Sequence, residues 1–217
     1  MDLKLKELAE ILQVSEKTIY RWVNDKKIPY FRINHQYRFK TDDINNWAIQ
    51  NKYKLELPVE SADKNSEPIS VFNSLKNGGI FYNVSGDNVS TVLENSLDII
   101  KIPNGLDREY ILTNLKNREE MASTAIGKGI AFPHPRTPIV AESANESLSI
   151  CFLHKPIDYK AIDKIKVHTL FIILSANQTR HLQLISKLSY LCQQEDFIEL
   201  IENKVMREDI FKYIEEH

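Results

Sequence analysis

The sequence is poor in cysteine. Its 217 residues hold two, Cys151 and Cys192, each set among apolar neighbours and never in a C-x-x-C spacing. That excludes a disulfide framework and a cysteine-based zinc site, and it points to two buried thiols in a reducing compartment. Long hydrophobic runs are also missing. No stretch reaches the roughly 18 apolar residues that a membrane-spanning helix needs. The first residues, Met1-Asp2-Leu3-Lys4, place charges where a secretory signal needs an apolar core. A cytoplasmic protein without membrane insertion is therefore expected. Internal repeats and low-complexity tracts are absent as well.

Excess charge is lacking overall but not locally. The chain carries 28 basic and 30 acidic residues, a net charge of -2. Residues 1–56 hold 11 basic and 8 acidic residues, which leaves 17 and 22 for the remainder. A basic head on an acidic body hints at nucleic-acid contact by the head. Charge alone favours a solvated basic face.

What is present falls into two regions. In the first, Leu5, Leu8, Ala9 and Leu12 form a helical stripe, and Ser15 caps a second helix with Ile19, Trp22 and Val23 on its inner face. Phe31-Arg32-Ile33 and Tyr37-Arg38-Phe39-Lys40 alternate as strands around a turn at Asn34-His35-Gln36. Thr41 caps a third helix with Ile44, Trp47 and Ala48 facing inward. Residues 58–68 are polar and bounded by prolines, and read as a linker rather than a surface loop. Beyond them strands and helices interleave. Ile80–Val84, Ser147–Leu153 and Val167–Leu174 read as strands, the last central and buried. Residues 92–100, 108–115, 179–192 and 195–203 read as helices. The expected architecture is an α/β body with a mixed sheet flanked by helices and a small helical head, divided as residues 1–54, a linker at 55–68, and residues 69–217.

The run from Leu5 through Leu8-Ala9, Ser15-Glu16-Lys17-Thr18-Ile19-Tyr20-Arg21-Trp22, continued by Lys27-Ile28-Pro29-Tyr30-Phe31-Arg32 and Tyr37–Trp47, resembles the excisionase-type, MerR-related winged helix-turn-helix. The resemblance implies DNA as a partner. Lys17, Thr18 and Arg21 then lie where a recognition helix meets base edges or phosphates. Arg32, Arg38 and Lys40 are expected to share the exposed face of the wing and to hold phosphates. A homodimer is expected because small winged heads use two half-sites.

The most informative stretch is Asn117-Arg118-Glu119-Glu120-Met121-Ala122-Ser123-Thr124-Ala125-Ile126-Gly127-Lys128-Gly129-Ile130-Ala131-Phe132-Pro133-His134-Pro135-Arg136. With Pro156–Asp163 and Asn177–Leu182 it resembles the enzyme IIA domains of the fructose, mannitol and nitrogen-related type of the sugar phosphotransferase system, over about residues 69–217. Taken without that resemblance, a histidine between prolines is a common loop residue. With it, His134 is the phosphoryl acceptor, open to a histidine-containing phosphocarrier protein. Arg118 holds phosphoryl oxygens, and His181, at a helix start, donates a hydrogen bond to them. Gly127 and Gly129 allow a tight turn and a close approach of the partner. Ser123 and Thr124 either add hydroxyl contacts or serve as caps. Lys128 stands where the family often has an acid, and is expected to oppose protonation of His134. Pro135 stands where glycine is common and offers no N–H, a loss Arg136 would offset.

Neither a metal nor a cofactor is implied: no histidine pair has helical ligand spacing and no cysteine lies close to one. The fusion suggests a phosphotransferase-linked transcription regulator, a phosphoryl acceptor rather than a turnover enzyme. The same residues also fit a carrier that hands phosphate to a transporter subunit, or a regulator that acts by contact with a kinase or channel.

Overall fold

The computed structural model describes residues 2–33, 36–40, 43–44, 47–48, 69–103 and 105–217. The chain forms two compact units, Met1–Asn65 and Ser66–His217. The expected linker and most of the wing turn lie outside the described residues, as does the Thr41 cap.

The first unit is built on β1 (Asp2–Lys4), α1 (Leu5–Ile11), α2 (Glu16–Asn24), β2 (Phe31–Ile33) and β3 (Gln36–Lys40). Ser15 Oγ accepts the Thr18 amide at 3.2 Å, as a helix cap should. The three strands form an antiparallel sheet in the order β1-β3-β2. Leu8, Ile19, Phe39, Ile44 and Trp47 meet in one core. Trp22 and Trp47 pack with ring centroids 5.2 Å apart, and the Trp47 indole donates to the Lys27 carbonyl. Strand β1 was not expected. Three residues that run straight into a helix show no alternation of their own, and Leu3 is recruited only by pairing opposite Phe39.

The second unit holds α3 (Val71–Gly78), β4 (Gly79–Val84), α4 (Val89–Ile99), α5 (Arg108–Met121), β5 (Ala125–Gly127), β6 (Ile130–Ala131), β7 (Ser147–Ile157), β8 (Val167–Leu174), α6 (Gln178–Leu191), α7 (Glu195–Glu202) and α8 (Arg207–Glu216). Its mixed sheet runs β4-β7-β8-β6-β5, with β8 in the middle as expected. Pairs β4–β7 and β6–β8 are parallel, whereas β7–β8 and β5–β6 are antiparallel. Alternate residues of β8 face opposite layers. Leu170, Ile172 and Leu174 join the core under α4 and α5, while Phe171 packs against Phe197 of α7. Burial on both faces is why the strand reads as an unbroken apolar run. Among the described residues, no helix is long and apolar enough to cross a membrane.

Helix α3 was missed because it buries small and polar groups, Ser74 and Gly78, beside Val71 and Leu75. Gly78 lies directly on β7. A Cβ there would sit 2.1 Å from the Leu148 carbonyl oxygen, a contact with backbone that cannot move aside. Gly78→Ala should therefore destabilise this unit by about 2–3 kcal/mol or more, by overpacking. Thermal denaturation should show a lower melting transition, and an unchanged one would refute this packing.

Candidate functional site

Helix α5 runs on through Arg118, which lies in its last turn and is buried. The Ala122 carbonyl beyond the helix end accepts from Arg118 Nη1 at 2.8 Å. This bond turns the guanidinium toward His134, and Arg118 Nε donates to His134 Nε2 at 3.2 Å. The histidine is fixed from its other side. Its Nδ1 lies 2.7 Å from the Phe132 carbonyl oxygen. A carbonyl only accepts, so Nδ1 carries the proton and Nε2 keeps its lone pair. The backbone leading to the ring is pinned as well: the Phe132 amide donates to the Thr124 carbonyl at 3.0 Å and the Ile173 amide to the Pro133 carbonyl at 2.9 Å.

The third member comes from α6. Asn177 caps that helix, accepting from the Arg180 amide at 2.9 Å. His181 follows in the first turn, and its ring centroid is 4.7 Å from that of His134. Ser175 Oγ and His181 Nδ1 share a hydrogen bond of 3.1 Å. The helix start is held by Glu146, which is buried, pairs with Arg180 Nε at 2.7 Å and accepts the Ala176 amide at 3.0 Å.

Burial is the main influence on the His134 ring, and the Arg118 charge acts in the same direction. Together they push its pKa from 6.5 down to about 3, so the ring is neutral at physiological pH. His134 is only 4% exposed. That differs from the open ring expected from the sequence. The guanidinium on one nitrogen and a carbonyl on the other occupy the two polar approaches, and His181 lies close by.

The other expected site residues divide. Gly127 (φ +95°), Lys128 (φ +52°) and Gly129 (φ +70°) form the tight β5–β6 turn in left-handed backbone. The close approach at Gly129 is to the chain's own His168, whose ring would lie 2.3 Å from an added Cβ. Lys128 does not act on His134 as expected: its ammonium donates to the Cys192 carbonyl at 3.3 Å, and the charge felt by His134 is that of Arg118. The hydroxyls of Ser123 and Thr124 point elsewhere. Ser123 donates to the Tyr159 carbonyl at 2.5 Å and Thr124 to Glu119 at 2.6 Å. Pro135 is buried and Arg136 is exposed. Among the described residues no group of three or more His, Cys, Asp or Glu is placed to hold a metal. Sequence reasoning missed Glu119, Glu146 and Ser175, whose partners depend on how helix ends meet strands and not on spacing.

In the first unit Lys17 and Arg21 are exposed on α2, while the Thr18 hydroxyl is shared with Ser15 at 2.9 Å. The wing departs from expectation. The register pairs Arg32 with Tyr37 and Phe31 with Arg38. Arg38 and Lys40 therefore share one face and Arg32 lies on the other, because directly opposed residues share a side. Arg32 donates to the Tyr37 hydroxyl at 2.7 Å, and its guanidinium carbon sits 4.7 Å from the centre of that ring. Arg38 donates to the Tyr37 carbonyl at 3.1 Å and to Gln36 at 2.9 Å.

Residues 73–217 match the family described as phosphoenolpyruvate-dependent sugar phosphotransferase system, EIIA 2, and residues 3–52 match the helix-turn-helix domain family. The chain is similar to a nitrogen regulatory protein of Pseudomonas aeruginosa, 27% identical over 141 residues, which cover 63% of this chain and 89% of that one. It is also similar to the transcriptional regulator ManR of Bacillus subtilis, 32% identical over 94 residues, 43% of this chain but only 14% of that one. The crystal structure of the nitrogen regulatory protein IIA-Ntr from Neisseria meningitidis shares the fold, with a TM-score of 0.54 and 21% identity over 66% of this chain and 94% of that chain. The match over well more than half of its length establishes that the chain belongs to the EIIA 2 family of the phosphotransferase system, with a helix-turn-helix domain ahead of the EIIA portion.

Proposed function

We propose that this protein is a phosphotransferase-linked transcription regulator: the helix-turn-helix unit binds DNA, and His134 takes a phosphoryl group from a histidine-containing phosphocarrier protein. One observation carries the reading. His134 is a neutral imidazole whose unprotonated Nε2 accepts from a guanidinium and whose ring packs beside a second histidine. Nε2 attacks phosphorus and a new N–P bond forms. The donor's N–P bond breaks, and its electron pair returns to the donor's ring nitrogen. Arg118 Nε–H now rests on the Nε2 lone pair, so it must release that pair and turn to the phosphoryl oxygens. The charge-assisted bond it then makes is stronger than the one it gives up. His181, in the first turn of a 14-residue helix, adds the positive end of that helix to the same charge. The new dianion also changes the local charge, which gives a DNA-binding regulator a signal to read. The resemblance to ManR, a relative named as a transcriptional regulator, favours the regulator over a bare phosphate carrier.

The deciding experiment incubates the full chain with purified phosphocarrier and its phosphate supply, then measures DNA binding. Wild type should become labelled and change its DNA affinity, whereas His134→Ala should stay unlabelled and keep one affinity. Labelling of His134→Ala would refute the assignment of the acceptor. Arg118→Lys and His181→Ala should slow labelling by about 100-fold, the usual loss on removing one oriented donor. In the head, Arg21→Ala should weaken DNA binding by about tenfold and reduce its salt dependence. Equal binding by that variant at low and moderate salt would remove α2 from the interface.

Burial of the neutral ring has a pH signature. The folded ring takes its proton near 3 and the unfolded one near 6.5. Between those values the unfolded chain binds more protons, so stability falls as pH drops from 6.5 toward 3. Replacing the ring by His134→Gln should flatten this acid limb in denaturant titrations at pH 7, 5 and 4. A limb of undiminished slope would show that other groups cause it.

A further inference from the structure

The bonds around His134 close into a circuit. Arg118 donates to His134 Nε2 at 3.2 Å, and His134 Nδ1 donates to the Phe132 carbonyl at 2.7 Å. The Phe132 amide donates to the Thr124 carbonyl at 3.0 Å. Glu119 then takes both donors of Thr124, its amide at 2.7 Å and its hydroxyl at 2.6 Å. Glu119 is bonded in sequence to Arg118, where the path began. Inside the circuit the Ala122 carbonyl holds Arg118 Nη1 at 2.8 Å.

Building on the phosphoryl-acceptor reading, we infer that Glu119 is a positioning residue for His134: by gripping Thr124 at two atoms it fixes the carbonyl-bearing segments that set the imidazole's tautomer and aim Arg118 at Nε2. Glu119 ties the last turn of α5 to the residue just before β5. Two bonds to one residue leave the carboxylate no rotational freedom, so its reach sets where β5 begins relative to α5. Burial pushes the Glu119 carboxyl pKa up, and the two Thr124 hydrogen bonds, with the Arg118 charge, offset only part of that rise. Tyr159 borders the same cluster, its phenol kept protonated by burial and by Glu119.

Reach and charge are separable. Glu119→Gln keeps the length: its amide oxygen accepts the Thr124 N–H, and its NH2 donates to the Thr124 hydroxyl oxygen. Glu119→Asp keeps the charge but is one methylene too short to hold both atoms. The primary readout is the 15N spectrum of the His134 ring in the unphosphorylated full chain, which distinguishes a proton on Nδ1 from one on Nε2. Wild type and Glu119→Gln should show the Nδ1–H form. Glu119→Asp should populate the Nε2–H form and accept phosphate about tenfold more slowly, as loss of an orienting partner does elsewhere. A wild-type tautomer in Glu119→Asp would overturn the proposal. So would a Glu119→Gln spectrum matching that of Glu119→Asp, since keeping the reach would then not be enough to hold the tautomer. If wild type itself takes no phosphate, the acceptor reading fails, while the tautomer comparison still decides the role of Glu119.

Discussion

A carbonyl oxygen has no proton to give, and the site rests on that fact. Because the Phe132 carbonyl faces Nδ1 of His134 at 2.7 Å, the ring has one tautomer open to it while it is neutral. Burial beside a permanent cation keeps it neutral. The nucleophilic lone pair is thereby assigned to Nε2, the nitrogen that faces Arg118. The surrounding fold serves to keep that carbonyl in place. The Phe132 and Pro133 backbone is bonded on one side to Thr124 and on the other to β8, the central strand of the sheet. Rigid elements hold the reactive ring, and the groups that must move are side chains.

The three polar members arrive from different parts of the chain. Arg118 ends a helix, His134 follows a two-residue strand, and His181 opens another helix. Each lies near an element terminus, where backbone groups are left over from regular pairing and become available for orienting side chains. The Ala122 carbonyl, the Thr124 carbonyl and the Ala176 amide are such groups, and each is used. The buried Glu146–Arg180 pair belongs to the same pattern: it fixes the turn before α6 and so places His181.

Much of this was legible beforehand, and what was not has identifiable causes. Strand β8 announced itself because both its faces are apolar. The family signature placed Arg118, His134 and His181 together, and the geometry does bring them within contact. Glu119 escaped notice because it touches a residue five positions on, across a helix end, where no periodicity applies. The faces of the wing were misjudged because alternation fixes sides within a strand but not between strands. Only the register, with Arg32 opposite Tyr37, decides which arginine sits beside which lysine. Strands β5 and β6 are too short, at three and two residues, to show any alternation.

Lys128 shows how a departure from a family pattern can acquire a structural use. Its ammonium reaches the carbonyl of Cys192, the residue that closes the far end of α6, where the unpaired carbonyls of a helix concentrate negative potential. The tip of the glycine hairpin is thus moored to the tail of the helix whose head carries His181. An acid at the same tip would meet repulsion there. The hairpin and the helix would then lose their tether, and the spacing between the two histidine-bearing segments would have one restraint fewer.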